Sequence, residues 1–586
     1  LLLFSCVFKP TFINKYYELK SFLTIRVVDS LHVLTCNKKR DGSMEILAVK
    51  KMEKEALKSS GIDFMRLGFS LFFMVAVLVY SFLSSGGVPN NMFLAIAAVF
   101  GAYMAMNIGA NDVANNVGPA VGSKALTMGG AIIIAAIFEA GGAFIAGGEV
   151  VQTIKKGIID INAFGGNTNS FIWAMMSALL AAATWLNFAT AVKAPVSTTH
   201  SIVGGVMGAG IAAAGFSIVA WGTMGAIAAS WVISPVLGGI IAAAFLFAIK
   251  KTIIYRENKA EAAMKWVPVF VAIMAWAFIT YLTLKGLKQI WPLIVDVLVF
   301  LPDEKKPSFM IAATFGFIIA VIVYLLGKRS VSKKKDKIEN TRAGVNLLFT
   351  VPLIFAAALL SFAHGANDVA NAIGPLAAIN DAVVSGGISA KAGIPLWVMA
   401  VGALGIALGL ALYGPKLIKT VGGEITELDQ MRAFSVAMAA SITVIIASQL
   451  GLPVSSTHIA IGGIFGVGFL REYLEPSNMK RTITNEQETL HNEKESLRAF
   501  ESERKTLEAK QDKQKEDYER IVELYKMIDV EEDKIKSSKK QLKSAEKVKY
   551  VKRDAIKRII AAWLITVPAA AVLSALIYFM IRGIVI

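Results

Sequence analysis

The strings Gly109-Ala110-Asn111-Asp112-Val113-Ala114-Asn115 and Gly365-Ala366-Asn367-Asp368-Val369-Ala370-Asn371 are identical, and each runs on to a Gly-Pro pair, Gly118-Pro119 and Gly374-Pro375. A second pair follows: Pro195-Val196-Ser197-Thr198-Thr199-His200 and Pro453-Val454-Ser455-Ser456-Thr457-His458. The first strings lie 256 residues apart and the second 258, so spacing is duplicated as well as wording. Chance does not repeat two unusual strings at matching intervals, and such a repeat decides the architecture before any local feature does. The chain is read as two duplicated halves, 91–250 and 345–470, with a closing span in 557–586.

Both strings lie in apolar surroundings. Of 586 residues 55% are hydrophobic and 18% charged, where a soluble protein carries about 25% charge, and the mean hydropathy is +0.58. A span needs about 20 apolar residues. Candidates such as Leu67–Leu83, Phe171–Ala191, Met224–Ala248, Met310–Leu326, Leu347–Ala363 and Ile559–Tyr578 lead to an expected 11 to 13 crossings or half-crossings. The fold class is therefore an all-α polytopic membrane protein. An additional span is placed in 61–90, and linker spans with a short basic loop in 251–344. The 48 glycines suit close helix approach in lipid. Two cysteines, Cys6 and Cys36, leave no disulfide framework.

The net charge of +17 is unevenly placed. Residues 471–560 hold 23 basic and 20 acidic residues, against 37 and 23 in the other 496. Basic loops at 250–265, 328–343 and 471–558 read as cytoplasmic by the positive-inside bias. The aromatics lie in apolar stretches instead of interleaving with the basic patches, so nucleic acid is excluded as a partner. Residues 1–60 mix apolar and basic residues irregularly; they read as a peripheral extension or as sequence upstream of a start at Met44 or Met65.

Asp112 and Asp368 are carboxylates within apolar segments, where such groups face a pathway or bind a cation. Asn111, Asn115, Asn367 and Asn371 add amide groups, and oxygen ligands suit a hard cation. The Pro-Val-Ser strings read as helix starts inside the membrane: the proline blocks continuation from upstream and a hydroxyl caps the new helix. The exposed N–H groups then favour an anion, with Ser197, Thr198, Thr199, Ser455, Ser456 and Thr457 as added donors. Two carboxylates would repel an anion unless a cation enters with it, which points to Na+ or H+ coupling. Lys124 and Lys193 flank the first-half motifs, but snorkelling to the interface is the simpler role. Glu139, Glu149 and a loose echo at Gly422-Gly423-Glu424 leave cation binding and a loop or structural role equally open. His200 and His458 suit packing behind the half-helices better than ligation. His364 has no counterpart, because Asn107 and Ile108 precede Gly109.

With both motif pairs in place, the sequence closely resembles the inorganic phosphate transporters of the PiT type, over about 90–470 and the last span. The resemblance implies two inverted-topology repeats with re-entrant half-helices and a symporter that imports phosphate with Na+ or H+, with no covalent chemistry and no cofactor beyond that ion. It places phosphate near Asp112, Asn115, Ser197, Thr198, Thr199, Asp368, Asn371, Ser455, Ser456 and Thr457. It takes Asn111, Asp112, Asn367 and Asp368 as Na+ ligands. A sulfate or related oxyanion permease is the alternative. The expected setting is the lipid bilayer of a bacterial inner membrane, with a homodimer left open as the assembly.

The insert at 471–556 departs from the family pattern, in which the long hydrophilic loop separates the halves. Leu497, Phe500, Leu507, Tyr518, Ile521, Tyr525 and Ile528 alternate at three and four residues, with Arg504, Gln511 and Gln514 between them. This pattern predicts an imperfect coiled coil or a helical hairpin. A sensor or anchor acting through that insert is the more remote reading.

Overall fold

The computed structural model describes residues 42–585, apart from short stretches at 192–195, 289–290, 298–301, 303–305, 334–337, 389–393, 425–427, 475, 512 and 548–552. Both cysteines, Lys193 and Pro195 therefore lie outside the described residues, as do the side chains of Glu149 and Glu424. The chain divides into two units, Leu1–Phe69 and Ser70–Ile586. All named elements among the described residues are helices, and the single backbone bridge joins Ile159 to Val219. Eleven helical segments are long and apolar enough to cross a bilayer, within the expected range.

After α1 (Gly42–Ser84), the first half begins with α2 (Asn91–Asn111) and α3 (Val113–Gly122). The two are one run interrupted at Asp112, whose N–H still donates to Ile108 O at 2.9 Å. α4 (Met128–Ala146), capped by Thr127 Oγ1 accepting from Gly130 N, is followed at Gly147 by α5 (Gly148–Lys156). α6 (Thr168–Ala191) and α7 (Thr198–Ala214) then form a hairpin. Its two outer ends are tied together, since Asp160 N donates to Ile218 O at 2.7 Å and Ala220 N to Ile158 O at 3.0 Å. The chain thus enters and leaves this hairpin at one level, while Val196 and Ser197 at its inner turn are buried. α8 (Trp221–Ile249) completes the half.

Between the halves, α9 (Lys259–Gly286) packs on α11 (Phe309–Ser332), with short α10 (Trp291–Val297) and α12 (Arg342–Leu347) in the connections. Phe309, Met310, Phe317 and Leu325 on α11 are exposed, as a lipid-facing helix requires. The second half repeats the first: α13 (Thr350–Ser385), α14 (Leu396–Glu424), α15 (Gln430–Gln449) and α16 (Ser456–Leu474) correspond to α2–α3, α4–α5, α6 and α7.

The halves interlock. α2 packs on α14 and α13 on α4; α7 packs on the last helix, and α8 on α16. The motif glycines make the first exchange possible. A Cβ on Gly109 would run into the carbonyl oxygen of Ile406, and one on Gly365 into that of Glu139. Each motif helix therefore touches the other half backbone to backbone, as small residues permit in lipid.

The insert is a helical hairpin, α17 (Pro476–Glu508) against α18 (Lys515–Lys547), placed where the first half has only the short link at 215–220. Arg520 Nε donates to Glu503 Oε1 at 2.8 Å and Ser538 Oγ to Glu493 Oε1 at 2.9 Å, which fixes the antiparallel sense. The expected seam needs correction. Gln511 and Gln514 fall in the connection, Tyr518 is exposed, Tyr525 lies at the edge of the seam with its OH donating to Glu508 Oε1 at 3.0 Å and its ring under Arg504, and Leu490, Leu524, Ile528 and Ile535 are the buried apolar positions among the described residues. The turn resets the helical phase, so one heptad frame cannot run through both arms. α19 (Arg553–Val585) closes the chain.

Candidate functional site

The hairpin turns of both halves meet the motif helices at a buried centre. Ser197 Oγ accepts from His200 N at 3.2 Å and Ser455 Oγ from His458 N at 3.3 Å. In each string, then, the first hydroxyl is the cap, and the next two are free to reach across. Thr198 Oγ1 donates to Asp112 Oδ2 at 2.6 Å, and its counterpart Ser456 Oγ donates to Asp368 Oδ2 at 3.3 Å.

Further bonds cross between the halves. Thr457 Oγ1 donates to Asp112 Oδ1 at 3.2 Å and accepts from Asn115 Nδ2 at 2.8 Å. Asn371 Nδ2 donates to Thr199 Oγ1 at 3.1 Å and to Thr198 Oγ1 at 3.2 Å. All ten residues expected to surround the anion lie in this cluster, each at most 6% exposed. Asp368 Oδ1 and Asn371 Oδ1 are buried without a hydrogen-bond donor among the described residues.

The other expected positions divide. Asn111 Nδ2 donates to Thr190 Oγ1 at 2.9 Å, and Asn367 Nδ2 to Ser448 Oγ at 3.0 Å. These two amides brace the motif helices against α6 and α15. Among the described His, Cys, Asp and Glu residues, Asp112, His364 and Asp368 form a group that could hold a cation, with one ligand atom from each within 4.8 Å of the others. His458 stacks on Trp563 at 3.7 Å, His200 lies tilted on Trp231 at 3.8 Å, and the two imidazoles meet edge to face at 4.7 Å. They pack behind the two helix starts. Lys124 is exposed past the end of α3, twelve residues beyond Asp112.

A chain of polar groups runs from the first half into the second, and the repeat-related positions do not supply a second copy of it. Asn116 Nδ2 donates to Glu139 Oε1 at 2.8 Å, and Glu139 Oε2 bonds His364 Nδ1 at 2.6 Å. His364 Nε2 lies 3.0 Å from Asp368 Oδ2. Glu139 is fully buried in the middle of α4, so the loop reading of this residue is corrected. Offset by the repeat, Asn116 and His364 correspond to Ala372 and Ile108. The matched glycine contacts pair Glu139 with Ile406. The sequence signal was a lone carboxylate inside the apolar run 131–146, and the absence of a second copy obscured it.

Fold and site together define a polytopic, all-helical membrane protein with two interlocked repeats, whose inner helix starts bring hydroxyls onto two buried carboxylates. Residues 108–574 match the family model described as "Phosphate transporter family", and the chain belongs to that family. A Helicobacter pylori (strain J99) protein named "Putative phosphate permease" is 48% identical over 539 residues, which cover 91% of this chain and 98% of its own. A Haemophilus influenzae protein of the same name is 38% identical over 377 residues, 64% of this chain and 87% of its own. A solved structure described as "The sodium-dependent phosphate transporter" superposes with a TM-score of 0.62 at 30% identity, covering 84% of this chain and 99% of that one.

Proposed function

We propose that this chain is a secondary-active symporter that imports inorganic phosphate through the bacterial cytoplasmic membrane, with Na+ as the coupling ion. The observation that carries the reading is the pair of buried carboxylates, Asp112 and Asp368, each bonded by a hydroxyl from the start of an inner helix. Two carboxylates in a low-dielectric site repel an anion strongly. A cation among Asp112, His364 and Asp368 offsets that repulsion. The site therefore favours loading both or neither, and such loading couples the two fluxes. Phosphate carries an O–H at neutral pH and can donate to Asp368 Oδ1 or Asn371 Oδ1; sulfate cannot.

Residues 91–250 and 345–470 serve as the two transport repeats, the second completed by 557–586 beyond the insert. Crossings at α2–α3, α4–α5, α8, α9 and α11, with α6–α7 returning to its own side, make α13 run opposite to α2. The repeats are then inverted, the geometry that lets a transporter rock about a fixed central site. Both inner turns supply helix N-termini for the anion.

The test is uptake of labelled phosphate by proteoliposomes under an imposed Na+ gradient, an imposed pH gradient, or neither. Uptake driven by Na+ and unaffected by excess sulfate is expected. Uptake driven by the pH gradient alone replaces Na+ with H+ in this reading, and competition by sulfate overturns the phosphate assignment. Gradient-independent uptake overturns symport.

A further inference from the structure

Outside both repeats, α9 and α11 form an antiparallel pair that supplies none of the groups named at the centre. Trp276 Nε1 donates to Ala313 O at 2.9 Å, which sets their register. A Cβ on Gly316 would lie 2.4 Å from Thr280 Oγ1, whereas one on Gly327 would meet nothing nearer than Pro268 Cβ at 3.5 Å. The two helices therefore press together at Gly316 and part toward the end where α9 begins and α11 stops.

Where they part, a cleft of about 660 Å³ opens, lined in part by Asn258, Glu261 and Lys265 and by Tyr324, Lys328 and Ser332. Gly316, Ala320, Tyr324, Lys328 and Ser332 recur every four residues and so share one face of α11. The first two are buried and the last three line the cleft. Phe317, Val321 and Leu325, one position further on, are exposed as lipid-facing side chains are. From Phe309 to Lys328 the helix covers roughly 30 Å at 1.5 Å per residue, the thickness of the hydrocarbon core. Lys328 thus stands at the bilayer edge beside the basic loop at 328–343, a level that suits the amphipathic ring of Tyr324.

Lys265 and Lys328 bring positive charge from two helices to one cleft, a convergence that snorkelling alone does not require. Tyr324 and Ser332 add hydroxyl donors. The first N–H groups of α9 are already taken. Lys259 N and Ala260 N donate to Asn340 Oδ1 at 2.7 and 3.3 Å, and Glu261 N to Asn258 Oδ1 at 3.1 Å. Side chains must therefore hold an anion here. Glu261, the acid among the described lining residues, is exposed, and its Oε2 accepts from Asn258 Nδ2 at 3.0 Å. It leaves one positive charge in excess and favours a ligand that also carries hydroxyls.

We propose that this cleft binds an anionic glycerophospholipid of the phosphatidylglycerol type. Its phosphodiester lies between Lys265 and Lys328 and accepts from Tyr324 and Ser332; its glycerol hydroxyls donate to Glu261. Its acyl chains run past Leu325, Val321 and Phe317. A basic pocket between spanning helices recognises lipid headgroups in this way. Inorganic phosphate has nothing to lay on the apolar flank. A zwitterionic lipid gains less, because the exposed cations Arg329 and Lys333 attract only a net anion. The site stands whether or not the centre carries phosphate.

The experiment is native mass spectrometry of the full chain, delipidated in detergent and titrated with dimyristoyl phosphatidylglycerol. The phosphatidylethanolamine and phosphatidylcholine of the same chains are compared, with inorganic phosphate as competitor. The parent should bind its first phosphatidylglycerol about tenfold or more tighter than either zwitterionic lipid, as two lysines at an anionic surface would give. Lys265→Gln and Lys328→Gln should each weaken that binding about fivefold, while Lys328→Arg stays within about twofold of the parent. Arg329→Gln, outside the lining, should also stay within about twofold, since its charge acts only through solvent. Equal affinity for the three lipids, parental binding in both glutamine variants of the lysines, or an equal loss in Arg329→Gln overturns the site. Loss in Lys328→Arg as large as in Lys328→Gln overturns the assignment to charge. Displacement of the lipid by millimolar phosphate would make this a free-phosphate site and overturns it as well.

Discussion

Asp112 and Asp368 were legible as candidate site residues because the same acid recurs in the same apolar context 256 residues later. Repetition could not reveal Glu139 and His364, whose equivalent positions in the other half are Ile406 and Ile108. Nor could spacing show which hydroxyl caps, since that depends on where the helix starts. If the carboxylates act as proposed, Asp112→Asn or Asp368→Asn should each lower coupled uptake at least about tenfold, the loss expected for a charged hydrogen-bond partner. Flux at saturating Na+ in proteoliposomes checks this, and wild-type rates in both would remove the acids from the site. The hydroxyls should divide by role. Ser197→Ala should lose about 1 kcal/mol of stability from a missing cap, with Ser197→Gly losing less. Thr198→Val, which loses the donor to Asp112, should weaken phosphate affinity, and Thr198→Ser should restore it. Thermal melts in detergent alongside equilibrium phosphate binding separate the two effects.

The helices themselves were largely readable from apolar runs, and the inner helix starts from proline followed by hydroxyls. Their partners were not, because α2 meets α14 and α13 meets α4 through contacts between residues hundreds of positions apart. Gly365→Ala tests that exchange. Its new methyl would collide with the Glu139 carbonyl, so it should lower stability by about 1–3 kcal/mol, seen as a melting point several degrees lower. Gly129→Ala on α4, with open space around it, should melt like the parent. The insert hairpin responds to acid instead. Hydrogen bonds from Arg520 hold the Glu503 carboxyl below the usual carboxylate range, and Lys510 with Gln514 N does the same for Asp517. Depressed carboxyls stabilise above their unfolded values and lose that contribution as pH falls through the folded ones. Hydrogen exchange of α17 and α18 amides should thus be unchanged from pH 8 to about 5 and quicken, after correction for intrinsic rates, below about pH 4. Arg520→Gln should flatten the part of that change due to Glu503.

For the whole molecule, the duplicated plan says which parts transport requires. The second half places α17 and α18 between α16 and α19, at the position where the first half joins α7 to α8 through 215–220 alone. Six residues suffice for that connection in one repeat, so the repeat geometry asks for no more in the other. The charge distribution agrees, since nearly half of residues 471–560 are ionised while the carboxylates of the site lie elsewhere. Replacing 475–552 with a short Gly/Ser link should therefore leave gradient-driven phosphate uptake within about twofold of the full chain, since a flexible six-residue link spans on the order of 12–15 Å. Uptake per folded molecule, normalised by monodisperse protein on a sizing column, is the measurement. Retained uptake excludes a protein that works only through its insert. Uptake lost from a well-folded truncation would instead make the hairpin part of the transport cycle, and the repeat alone would no longer account for function.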